Sequence, residues 1–190
     1  MNNLKNIKNK FSKAIISFQN ISSCSNDLNK AINLTIKSIK NKKKIIFCGN
    51  GGSAADSQHL TAELVGKFLK NRKAIAAISL TTNTSSITSI GNDLSFDKIF
   101  SRQLEAIAQK GDVLFAISTS GKSKNILNAI EYAHKNGLEV ILLTSIKFKK
   151  KLKKTVEIKV PANRVDRIQE MHICIGHIFC EEIENNLFKD

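Results

Sequence analysis

The stretch Ile45-Ile46-Phe47-Cys48-Gly49-Asn50-Gly51-Gly52-Ser53 carries the chain from an apolar run into a glycine turn. Four apolar residues run without interruption and stop at a glycine turn. That pattern marks a strand buried on both faces. Ser53 stands where a helix cap belongs, ahead of a helical pattern over 54–69. Strand, tight turn and helix together open an α/β unit.

The pattern recurs downstream. Residues 74–80 read as a strand, followed by polar 81–86 and a helical stretch to about 90. Residues 96–109 read as an amphipathic helix. The apolar run 113–117 leads into Ser118-Thr119-Ser120-Gly121-Lys122-Ser123. A helix over 125–135 ends at Gly137, strands follow at 140–143 and 156–160, and a long helix over 164–187 closes the chain. Upstream, Leu4, Ile7, Phe11, Ala14, Ile15 and Phe18 fall at three- and four-residue steps in one amphipathic helix over 4–22. A second, capped by Ser25 or Asn26, carries Leu28, Ala31, Ile32, Leu34, Ile36 and Ile39. The expected fold is α/β: a three-layer α/β/α sandwich around a central parallel five-stranded sheet, with an N-terminal helical pair. Residues 1–41 form that pair, an expected oligomerisation element, and 42–190 the sandwich, in a single structural domain.

The chain has 190 residues, 42% hydrophobic and 24% charged, an ordinary globular composition. No apolar run approaches the roughly 18 residues of a spanning helix. The start of the chain is polar and Lys/Asn-rich, so no secretory signal is expected and the cytoplasm is the expected compartment. Thirty Lys and Arg against 16 Asp and Glu give a net charge of +14. Such an excess points at nucleic acid, but 26 of the 30 basic residues are Lys. Lys, Asn and Ile, which share A/T-rich codons, supply 71 residues. Genome composition therefore accounts for the charge, and neither nucleic acid nor membrane is an expected partner. Cys24, Cys48, Cys174 and Cys180 form no C-x-x-C pair and read as incidental thiols.

Two loops directly follow strands, where ligands bind in open α/β sheets. Gly49-Asn50-Gly51-Gly52-Ser53 allows close backbone approach. The serine loop 118–123 offers four hydroxyls, backbone N–H groups and a helix start, which suits a phosphate monoester. Neither loop fits G-x-x-x-x-G-K-[ST] or G-x-G-x-x-G, which disfavours nucleotide hydrolysis and dinucleotide binding. His59 and Glu63, four apart, share a helix face. Gln169, His172 and His177 lie on the last helix.

The runs CGNGGSAADSQHLTAEL (48–64), IGND (90–93), ISTSGKS (117–123), VP (160–161) and DRIQEMHICIGHI (166–178) resemble the phosphoheptose isomerase family of the sugar isomerase (SIS) superfamily, in order over nearly the whole chain. The resemblance implies the SIS fold and a cytoplasmic homotetramer with sites at subunit interfaces. It implies conversion of sedoheptulose 7-phosphate to D-glycero-D-manno-heptose 7-phosphate, toward ADP-heptose and lipopolysaccharide core. By position, Ser118, Thr119, Ser120 and Ser123 would hold the phosphate. Asn50, Gly51, Gly52, Ser53, Asn92 and Asp93 would contact the sugar, with Glu63 and Gln169. His59, Glu63, Gln169 and His177 would bind zinc, one ion per subunit. Glu63 and His177 would be the acid–base pair.

Gln169 and His177 are eight residues apart, about 12 Å along a helix. His172 is the nearer neighbour and the rival ligand. Either long side chains converge from two turns, the helix is irregular, or different chains supply the ligands. Two further departures stand out: the lysine-rich run 146–154 replaces a glycine-containing family segment, and Lys67 sits where relatives often carry Arg. The alternatives in function are a DnaA-associated SIS binding protein without isomerase activity, and an SIS enzyme for another sugar phosphate. Retention of the His59/Glu63/Gln169/His177 set argues against the binder.

Overall fold

The computed structural model describes residues 2–188. Helices α1 (Asn2–Phe18) and α2 (Ser25–Lys40), joined by a 3-10 turn at Ile21–Cys24, precede β1 (Ile45–Gly49). Then come α3 (Gly52–Val65), β2 (Ala77–Ser79), α4 (Thr84–Asp93), a 3-10 turn at Phe96–Lys98, α5 (Ser101–Ile107) and β3 (Val113–Ile117). The chain finishes through α6 (Lys124–Lys135), β4 (Glu139–Ser145), β5 (Val156–Val160) and α7 (Val165–Leu187).

The five strands form one parallel sheet in the order β2-β1-β3-β4-β5. Successive side chains of a strand point to opposite faces. Ile45 and Phe47 of β1, with Val113, Phe115 and Ile117 of β3, therefore pack with α2, α3 and α7. Ile46 and Cys48, with Leu114 and Ala116, join Leu104 of α5 and Ile126, Ala129, Ile130 and Ala133 of α6. Two apolar clusters on one sheet make the expected three layers. Among the described residues no helix is long and apolar enough to cross a membrane.

Several boundaries differ from expectation for local reasons. Ser53 caps nothing: Gly51, at φ 56°, holds the cap position, and Ser53 is buried inside the first turn. The helix ends at Val65, because the next stretch spends its backbone elsewhere. Strand β2 is short because the N–H of Ile75 donates to Leu64 O (3.0 Å) rather than to a strand. The expected helix over 96–109 breaks where Ile99 and Phe100 turn into the core. Helix α1 keeps its stripe, but Leu4, Phe11 and Ile15 are 64%, 67% and 68% exposed within the single chain.

Candidate active site

The strand order reverses between β1 and β3. Ligands in doubly wound sheets bind at such a reversal, beyond the carboxyl ends of the strands. Gly49 of β1 lies opposite Ile117 of β3, so the glycine loop and the serine loop leave the sheet side by side. Asn50 and Asn125 tie them together: each side-chain amide donates to the other's Oδ1 at 2.9 Å. Asn125 is buried, and the sequence reading missed it. Its signal was position, since a polar residue entering α6 beside a ligand loop needs partners when buried.

The serine loop is built from its own backbone. Gly121 N–H donates to Ser118 O (3.2 Å) and Ser118 Oγ (3.1 Å), and Lys122 N–H donates to Ser120 Oγ (3.2 Å). Ser145 Oγ on β4 donates to Thr119 O at 2.8 Å. Gly121 sits at φ +65°, and a Cβ there would fall 2.4 Å from the ring of Phe148. Only glycine satisfies both demands. Ser123 holds the cap position of α6 without a side-chain cap bond, which leaves its hydroxyl for a ligand at the positive helix end.

Behind the glycine loop, α3 and α7 run side by side in the same direction. Gly52 meets the Gln169 amide at one level, and Leu60 meets Gly176 further along. At that lower level His59, Glu63 and His177 converge. The Nε2 atoms of His59 and His177 are 2.8 Å apart, and His59 Nε2 is 3.2 Å from Glu63 Oε1. One donor atom from each of the three lies within 4.8 Å of the others. Two donors about 2.05 Å from an ion at the tetrahedral angle would stand about 3.3 Å apart. Two imidazoles and a carboxylate at such spacing fit a borderline-soft divalent ion.

His172 is not part of this group. It is buried, its Nε2–H donates to Thr144 O (3.1 Å), and burial pulls its pKa down to about 4. It is a neutral core histidine, and the rival ligand falls away. Helix α7 is continuous, so no break brings Gln169 to His177; the Gln169 amide lies against Gly52 instead. Asn92 and Asp93 are exposed in the last turn of α4, Asn92 donating to Asp93 Oδ1 at 2.8 Å. Asp56, one turn before His59, is a residue the sequence reading passed over. Burial raises its carboxyl pKa and the nearby His59 opposes that, while its Oδ2 has no hydrogen-bond partner among the described residues.

Comparison with known proteins places this geometry. The SIS domain family profile matches residues 11–145. A phosphoheptose isomerase of Nitratiruptor sp. is 52% identical over 155 residues, 80% of this chain and 82% of the relative. The solved phosphoheptose isomerase of Neisseria gonorrhoeae superposes with a TM-score of 0.89 at 38% identity, over 96% of this chain and 98% of that one. That of Francisella tularensis gives a TM-score of 0.91 at 32% identity, over 97% and 100%. A paired loop system at the sheet reversal, a histidine–carboxylate cluster beneath it and these likenesses over nearly the full chain have one common account: the chain belongs to the phosphoheptose isomerase family of SIS-domain proteins.

Proposed function

We propose that the protein is an aldose–ketose isomerase that converts sedoheptulose 7-phosphate to D-glycero-D-manno-heptose 7-phosphate, supplying heptose for lipopolysaccharide core by way of ADP-heptose. The family relationship supports the reaction. The observation that carries it to these residues is the convergence of Glu63 and His177 with His59 in the α3–α7 pair that also carries the glycine loop.

The chemistry needs a proton removed from C1, an enediol, and a proton returned at C2. Glu63 is the proposed base that carries this proton. His177 supplies the proton to the C2 oxygen and takes one back from the C1 hydroxyl as the enediol collapses to the aldose. Ser118, Thr119, Ser120 and Ser123, with the N–H groups entering α6, hold the phosphate. Asn50, Gly51, Gly52, Ser53, Asn92, Asp93 and Gln169 hold the sugar chain.

Zinc is the proposed metal, with His59, Glu63 and His177 as its donors; Gln169, expected as a fourth, lies against Gly52 and outside this cluster. When bound, it supplies Lewis-acid polarisation of the sugar's oxygens. The assembly we propose is a cytoplasmic homotetramer in which the exposed stripe of α1 finds its cover. Large apolar surface left exposed on one chain is the usual mark of such a contact.

The test is a coupled assay on sedoheptulose 7-phosphate, with and without a chelator, using a hexose 6-phosphate as comparison. Turnover of the heptose in preference to the hexose is expected. No turnover by folded protein in either condition would sink the reading, and turnover of the hexose alone would assign another sugar.

A further inference from the structure

Glu184 lies on α7 two turns beyond His177 and is 1% exposed. Its carboxylate collects donors from a single loop. The backbone N–H groups of Phe68 (3.1 Å), Leu69 (2.9 Å) and Lys70 (3.1 Å) reach it, as does Arg72 Nε (2.7 Å). Arg72, whose side chain is 1% exposed, turns its other nitrogens back to the end of α3. They donate to Glu63 O and Leu64 O, each at 2.8 Å. The last carbonyls of a helix lack intrahelical partners, and one of the two satisfied here belongs to Glu63. The same loop carries Phe68, whose ring stacks on His177 with centroids 5.6 Å apart and planes at 22°. One buried carboxylate thus fixes, through one loop, the backbone of one member of the cluster and the ring of another. A buried ion pair gives little net stability over apolar packing of the same shape. Its place in the fold gives a different reason for its presence.

We propose that Glu184, acting through Arg72 and Phe68, positions Glu63 and His177 for metal binding and proton transfer. None of the three is a catalytic residue; each acts through another side chain. The proton-transfer half rests on the isomerase reading, and the metal-binding half does not.

Phe68→Leu keeps apolar bulk and the three backbone bonds to Glu184 while removing the stacked ring. Zn2+ affinity of the metal-free variant is measured by competition with a chromophoric chelator. Thermal unfolding without metal, and kcat and KM on sedoheptulose 7-phosphate, are measured alongside. Zn2+ binding is expected to weaken about tenfold and kcat to fall about tenfold. KM stays within about twofold, and the metal-free Tm within about 2 °C. Phe68→Tyr, which keeps the ring, restores both losses. Glu184→Gln is expected to weaken Zn2+ binding further; if it does not fold, Phe68→Leu alone decides. Unchanged Zn2+ affinity in folded Phe68→Leu overturns the proposal. Wild-type turnover tests the isomerase reading by itself, so the two failures are distinct.

Discussion

The Nε2 atoms of His59 and His177 meet at 2.8 Å across 118 residues of sequence. At that distance the two ring nitrogens share one hydrogen bond, one donating and the other accepting. What holds the pair is the packing beside it. Gly176 precedes His177, Leu60 follows His59, and the two helices touch where glycine has no side chain.

That contact is open to test. A Cβ at Gly176 would fall 2.7 Å from both terminal carbons of Leu60, which is wholly buried. Gly176→Ala is therefore expected to cost about 1–3 kcal/mol of stability by overpacking. It should also weaken Zn2+ binding by spreading α3 from α7. Urea unfolding and chelator competition measure the two effects. Stability lost with Zn2+ affinity intact would mean that something else sets the cluster.

Phe148 provides a second prediction. It is 4% exposed, sits against Gly121 of the serine loop, and has Lys159 Nζ 5.3 Å over its ring. Phe148→Ala should cost about 3–5 kcal/mol as a core truncation. If the ring also braces the serine loop, KM for the sugar phosphate rises more than kcat falls. Steady-state kinetics on folded variant separate the two.

His172 makes stability depend on pH. Burial lowers its pKa to about 4 in the folded chain, against about 6.5 when unfolded. Between those values the unfolded chain binds the extra proton, so stability rises with pH. The contribution is fully present above about pH 6.5 and is lost as pH falls toward 4, by roughly 3 kcal/mol at most. Protonation at Nδ1 would bury an N–H with no partner among the described residues. His172→Gln should flatten this slope in urea titrations from pH 4 to 7. An unchanged slope would assign it to other groups.

The sheet was legible because β1 and β3 are uninterrupted apolar runs ending in loops of glycine and serine. His59 and Glu63 were legible as a pair, since four residues along a helix is one turn. The choice between His172 and His177 was not. It depends on which face of α7 meets α3, and the Gly176–Leu60 contact sets that face. The loop around Glu184 was equally hidden: nothing in the local pattern of Phe68 to Arg72 says that its N–H groups share one distant carboxylate. The stripe on α1 is apolar, as its three- and four-residue spacing indicated, and within the single chain it stays exposed.

As the proposed base, Glu63 would move the proton within the cluster it forms with His59 and His177. The direct measurement is kcat of Glu63→Gln on sedoheptulose 7-phosphate against the unaltered chain, both at saturating Zn2+. A fall of about 10²- to 10⁴-fold is expected, the range for loss of a general base, with the fold intact. Turnover close to that of the unaltered chain would contradict it.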